Sequence, residues 1–282
     1  MSNKIVIFIF LTLLQLSVFA ERNSKSIYEM RPEDSEAYYF DPSIYGVKAD
    51  GKCDVTQALQ SAINKVKKEK NFGILFLPEG KYRLSSPIYI PASVRLIGYG
   101  KKRPELILAP NTPGYQNDIN YMIWFTSAIV QSDDNVSDAN SGTFYSGISN
   151  INFKIGKGNP KAAVVRSRYA QHCFINYCDM YIGDGFAGVH HVGNEIENVN
   201  FYGGDYAIVS SRTSPGWPMM MIDTYFEGQR KSAIHTREAG FSIVNMHVKN
   251  VPVVFEMEEN IQDRLYIESS IFENISQCGI VI

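Results

Sequence analysis

Glu195-Ile196-Glu197-Asn198-Val199-Asn200-Phe201-Tyr202-Gly203-Gly204-Asp205-Tyr206-Ala207-Ile208 contains every feature of a unit that recurs from Gly147 to Ile282. Its apolar anchor belongs to the series Phe153, Met180, Phe201, Phe226, Val248 and Phe272, spaced by 27, 21, 25, 22 and 24 residues. Five residues before each anchor stand Ile148, Ile175, Ile196, Met221, Ile243 and Ile267. Three before stand Asn150, Tyr177, Asn198, Asp223, Asn245 and Ser269, mostly types that tolerate a left-handed backbone. Two before stand Ile151, Cys178, Val199, Thr224, Met246 and Ser270. An unbroken strand turns alternate residues inward. Here the inward set falls at minus five, minus two and zero, so the alternation breaks once per unit. A single left-handed residue at the break bends the chain and returns the next side chain to the interior. After a polar or Gly-containing turn comes another apolar stretch: Gly188-Val189, Ala207-Ile208, Ala233-Ile234, Val253-Val254 and Gly279-Ile280. Three short strands per coil, stacked at about 4.8 Å, make an all-β, right-handed parallel β-helix. A leucine-rich repeat of this length needs recurrent Leu, and a β-sandwich has no use for the left-handed break.

A solenoid must cover its first coil. Asp54 reads as an N-cap for a helix over Val55–Lys70, whose Ala58, Leu59, Ala62, Ile63 and Val66 share one face. That helix is expected to cap the amino-terminal end. Strands are predicted within Gly73–Tyr82, over Ile88–Ile90 and over Val94–Gly98. Four pieces in this order resemble the opening of the pectate lyase superfamily, more narrowly its rhamnogalacturonase/epimerase-like branch. They are Tyr45-Gly46-Val47-Lys48-Ala49-Asp50-Gly51, Asp54-Val55-Thr56 with Ala58-Leu59 and Ala62-Ile63, Phe76-Leu77-Pro78-Glu79-Gly80-Lys81-Tyr82, and Leu96-Ile97-Gly98-Tyr99-Gly100. Val55 departs from the pattern, where a second Asp or Asn is usual. The resemblance implies a β-helix that handles polysaccharide. Its members include hydrolases, lyases, epimerases and phage tailspikes, so it does not fix the reaction. Gly204-Asp205-Tyr206-Ala207-Ile208 resembles a polygalacturonase segment with Tyr206 in place of its second Asp, but the other polygalacturonase motifs are absent.

Lys4, the apolar run Ile5–Phe19 and Val18-Phe19-Ala20 read as a signal peptide over residues 1–20. The run is too short for a retained membrane anchor. Residues 21–40 then form an extension and residues 41–282 the β-helix domain, with a secreted or periplasmic location and no membrane span after cleavage. The chain ends inside a predicted strand, so a further domain or continuation after Ile282 is expected to cover its last coil. A net charge of -2, from 27 Lys+Arg against 29 Asp+Glu, gives no case for nucleic acid. Cys53, Cys173, Cys178 and Cys278 match no zinc spacing, and Cys178 falls at a core position. No cofactor or metal is expected for a hydrolase, whereas a lyase often needs calcium.

With Val189, Ile208, Ile234, Val254 and Ile280 inward, the next residues outward are His190, Val209, His235, Phe255 and Val281. Arg237 lies two beyond His235. His190 and His235 are then two coils apart on one face, about 10 Å. Asp184 and Asp205 share a repeat position in the preceding turn, and Arg230 holds it in the next coil. Asp184, Asp205, His235, Arg237 and His190 are the candidate catalytic groups. Two carboxylates with His and Arg suit glycosidic-bond hydrolysis, the leading expectation. The same groups suit β-elimination on a uronate, and a non-catalytic glycan-binding solenoid is the third reading. The bland alternatives are a charge-balanced turn ladder for the two Asp and a solvated strand face for the rest. Trp217, Arg212, Arg230 and Glu238 are the candidate substrate-binding residues, with polysaccharide as the partner. His191 is expected inside, His172 and His247 without an acidic partner in register, Trp124 in packing, and Asn111–Gly147 as a long polar loop.

Overall fold

In a computed structural model, residues 25–132, 134–191, 194–212 and 218–281 are described. The leader at residues 1–20 and Trp217 therefore lie outside the described residues. Two parallel sheets wind as a β-helix. The first contains the strands Phe174–Gly183, Glu195–Gly203, Met219–Glu227 and Phe241–Lys249. The second stacks Ile88–Pro91, Asn120–Thr126, Ala162–Arg166, Ala187–His190, Tyr206–Val209, Ser232–Thr236, Val253–Met257 and Cys278–Val281.

The coil register is the one the repeat predicts. Ile148, Ile175, Ile196, Met221, Ile243 and Ile267 pair in succession, as do Phe153, Met180, Phe201, Phe226, Val248 and Phe272. All six residues at the break are left-handed, with φ from 51° to 58°. The residue after each break turns inward, so Ile151, Cys178, Val199, Thr224 and Met246 are buried. Each long strand thus crosses two faces of the coil with one local kink. Phe201 and Phe226 stack in neighbouring coils with ring centroids 5.0 Å apart, extending the core along the axis.

The helix spans Thr56–Lys70 and buries the five apolar residues expected of it. Val55 occupies the N-cap position without a side-chain bond. Asp54, one residue earlier, accepts from the Thr56 N–H at 3.0 Å and so still satisfies the helix end. The helix packs on Gly73–Pro78 and Ile88–Pro91, closing the first coils. Tyr38–Tyr39 adds a strand beside Gly73–Pro78, so part of the expected extension belongs to the solenoid.

Two expectations need correction. Phe255, not Val254, pairs with Ile234 and Ile280, which moves Glu256 into the outward place beside His235. Val253-Val254-Phe255 is continuously apolar and offers no alternation to set register. Asn111–Gly147 is no uninterrupted loop, because it contains the strand Asn120–Thr126. Residues beyond that strand fold back against it, with Ala139 N–H donating to Phe125 O at 3.1 Å.

Asn150 is fully buried at φ 58°, donating to Gly98 O and Ser26 Oγ and accepting from Ile27 N–H. Replacing it with Ala strands these groups and strains the backbone, and should cost roughly 2–4 kcal/mol in urea unfolding. Asn245→Ala, at an exposed rung, should cost under about 1.5 kcal/mol.

Candidate active site

The outward face of the second sheet carries two rows of side chains. One runs Trp124, Arg166, His190, Val209, His235 and Glu256. The other runs Tyr121, Ala163, Ala187, Tyr206 and Ser232. The two alanines leave room that aromatic rings fill: Tyr121 stacks on His190 at 5.7 Å, and Phe186 meets His190 and Tyr206 edge-on.

A connected polar chain crosses the upper coils. Arg166 grips Asp138 bidentately, Nε to Oδ1 at 3.0 Å and Nη2 to Oδ2 at 2.6 Å. Trp124 Nε1 donates to Asp138 Oδ1 at 2.8 Å. Arg166 Nη1 donates to the Tyr121 hydroxyl at 2.9 Å, and that hydroxyl lies 2.8 Å from His190 Nδ1. Since the guanidinium can only donate, the phenol's own proton goes to Nδ1, and neutral His190 carries its hydrogen on Nε2. His191 stacks on His190 at 4.0 Å and bonds Ser211 Oγ at 2.7 Å through Nδ1.

Burial pushes His190 down to about 3, aided by the charges of His191 and Arg166. Burial, with Arg166 and Arg168 nearby, pushes His191 down to about 4. Both rings are therefore neutral at ordinary pH. Burial raises the Tyr121 phenol, against the pull of Arg166, so it rests as a proton donor. Burial opposes ionisation of Asp138 as well. Hydrogen bonds from Arg166 and Trp124 and the charges of Arg166 and Arg168 outweigh it, holding the carboxyl below its usual range.

Two coils further along, His235 Nδ1 lies 3.4 Å from Glu256 Oε2, and Nε2 lies 3.7 Å from Glu258 Oε1. Ser232 Oγ donates to the same Glu256 oxygen at 3.0 Å. Arg237 Nη1 stands 3.6 Å from Glu258. The Tyr206 ring centroid is 5.5 Å from that of His235.

The structure keeps His190, His235 and Arg237 on one face, as expected, but places the aspartates in a turn ladder. Arg230 bonds Asp205 Oδ1 through Nε at 2.9 Å and caps the carbonyls of Gly183, Asp184 and Gly185. Lys231 lies 3.4 Å from Asp205, and Asp184 accepts from Gly158 N–H at 3.0 Å. Arg230 thus ties coils together. Arg212 and Glu238 line a separate groove with Asp263 and Arg264. His191 is not interior, because its φ of 56° breaks the alternation and keeps the ring beside His190. His247 has no acid in its own register, where it pairs with Tyr225 and Ile271, but it meets Glu273, two residues further along the next strand, at 2.8 Å. Trp124 faces outward, bonded to Asp138.

Asp138, Arg166, Arg168 and Tyr121 were absent from the expected site. Arg166 was legible in principle, since it ends the apolar run Ala162-Ala163-Val164-Val165 in the row of His190. No signal marks Asp138, which arrives from the fold-back after Thr126. Among the described residues no three His, Cys, Asp or Glu side chains converge as a metal would require, and no helix is long and apolar enough to cross a membrane.

A family model described as rhamnogalacturonase A/epimerase, pectate lyase-like, matches residues 43–281. No curated protein matches the chain. Among solved structures, the A-module of a mannuronan C-5 epimerase from Azotobacter vinelandii is similar at 13% identity and TM-score 0.52, over 86% of this chain and 70% of that one. ORF18 of Geobacillus virus E2 is similar at 15% identity and TM-score 0.39, over 86% and 62%. An iota-carrageenase of family GH82 from A. fortis is similar at 13% identity and TM-score 0.38, over 82% and 60%. At these identities the likeness is one of fold.

Both depressed histidines bear on stability. Unfolded chains take up these protons near the ordinary 6.5, whereas the folded state resists until about 4 and 3. Stability from this pair is therefore full above pH 6.5 and lost as pH falls through that window. Urea unfolding of a His190→Gln/His191→Gln variant should show a flatter decline between pH 6.5 and 4 than the parent.

Proposed function

The chain belongs to the rhamnogalacturonase A/epimerase, pectate lyase-like family, and we propose that it is an exported enzyme that cleaves a uronate-containing polysaccharide by β-elimination on the second sheet's outward face. The observation that carries this reading is the neutral His190, whose Nδ1 is taken by Tyr121 and whose Nε2–H remains to donate. A neutral imidazole with a strongly lowered pKa suits stabilisation of charge that builds on an oxygen during reaction. In β-elimination that oxygen belongs to the uronate carboxylate, which gains charge as the neighbouring ring proton leaves. Arg168 and Arg237, each more than half exposed, balance the carboxylate. His235, with Glu256 beside Nδ1, takes the ring proton. The C–H electron pair becomes the carbon–carbon double bond, the bond to the glycosidic oxygen breaks, and His235 returns the proton to that oxygen.

Hydrolysis calls for a protonated carboxyl opposite a second carboxylate. Asp138 is held ionised, Asp205 is paired with Arg230 and Lys231, and Asp184 bonds a turn amide. These engagements favour elimination over the hydrolysis expected from the sequence. The apolar leader supports action outside the cytoplasm, and the polysaccharide is the partner this reading requires.

The test is a panel of uronate polysaccharides assayed for both new reducing ends and ultraviolet-absorbing unsaturated uronates. Both signals should rise together. His235→Ala should lower kcat by at least about 100-fold and His190→Ala by about 10- to 100-fold, while Asp184→Asn stays near the parent rate. Reducing ends without ultraviolet absorbance would establish hydrolysis instead. Saturable binding without either product would establish a glycan-binding solenoid.

A further inference from the structure

Around the corner from this face, the first sheet carries a second constellation in which nothing above takes part. Arg95, Gly147, Phe174, Glu195 and Met220 pair in succession across neighbouring strands. They line or underlie a groove of about 750 Å³, walled also by Phe144 and His172. Gly147 is what makes the floor. A Cβ there would fall 2.7 Å from the Phe174 ring, so that ring lies over the glycine, across the groove. The Arg95 guanidinium stands 5.7 Å from the same ring centroid. Its Nε donates to Tyr145 O, and among the described residues its two terminal nitrogens have no hydrogen bond or ion pair. Glu195 lies three strand spacings from Arg95, about 14 Å. Met220, beyond it, is 48% exposed and extends the apolar part of the lining that Phe144, Phe174 and Pro218 begin. Burial, and then the charge of Glu197, raise the Glu195 carboxyl above its usual range.

A half-exposed aromatic floor with a guanidinium at one end and polar groups along its walls suits one ligand chemistry. The ring's C–H face stacks on an aromatic, its hydroxyls meet the polar groups, and a carboxylate takes the bidentate cation. We propose that this groove is a second, non-catalytic saccharide site that seats a uronate residue with its ring on Phe174 and its carboxylate on Arg95. Such a site, on a different face from His190 and His235, would hold the polymer near the cleft while bonds are broken there, raising its effective concentration. The inference rests on the uronate substrate class proposed above but not on the elimination step.

The experiment titrates the full chain carrying His235→Ala, which suppresses turnover, with short oligomers of galacturonate, glucuronate and mannuronate. The same oligomers with their carboxyls reduced to alcohols serve as controls. At least one oligouronate should bind saturably. Adding Arg95→Gln should weaken groove binding about tenfold or more, the scale of a charge-assisted contact. Met220→Trp, a substitution at an exposed site that fills the groove without touching the core, should do the same, and the reduced oligomers should bind poorly. Phe174→Ala adds a third arm, read only if its unfolding transition matches the parent. Affinities unchanged by both Arg95→Gln and Met220→Trp would overturn the groove while leaving the cleft reading intact. Groove-dependent binding without unsaturated product from the parent enzyme would sink the elimination and keep the groove. Failure of every oligouronate to bind or react would sink both.

Discussion

Everything in this molecule depends on one left-handed residue in each coil of the first sheet. From Asn150 to Ser269 that residue holds φ between 51° and 58°, reverses the inside–outside alternation once, and lets a single strand line two faces of the core. Asn and Asp reach this conformation at lower cost than other residues with a Cβ, and their short side chains bond across coils. The Asn150 side chain ties three separate segments together. Because the kink recurs once in each coil and the flanking strands pair in register, with turns absorbing the differences in coil length, each coil presents its strand residues at the same angular positions as the last. The outward rows of the second sheet exist only because of that repetition.

On those rows the molecule does something unusual for a solvent-facing sheet. It buries a tyrosine and half-buries an arginine, an aspartate and two histidines. Burying charge is costly unless it is paired with good geometry, and the bidentate Arg166–Asp138 contact meets that condition with Trp124 as a third partner. Low dielectric around the cluster is also what keeps His190 and His191 neutral. The same burial that disfavours the imidazolium therefore creates a fixed, uncharged donor beside cations, which is the property the proposed chemistry uses. By contrast, Asp205 and Arg230 meet in the turns, where their contacts fasten carbonyls of successive coils.

Legibility followed the range of the interactions. The coil register, the left-handed positions and the capping helix were readable because each is set by residues a few places apart, through the period of inward side chains and the backbone preference of Asn. The outward placement of His190 and His235 came from the same local rule. That rule failed at His191, where another left-handed residue breaks the alternation again, and at Val254, where three apolar residues in a row leave register undetermined.

The sequence by itself determined a parallel β-helix, its phase and, wherever the inward alternation is unbroken, the face on which a polar side chain stands, because stacked coils repeat one local geometry. Only the tertiary structure decided which of those polar groups form a site. Tyr121 and His190 are 69 residues apart, and Arg166 and Asp138 are 28 apart. Their meeting depends on how many coils intervene and on the path of one fold-back beside Asn120–Thr126. Those are properties of stacking and loop docking, and no local period encodes them.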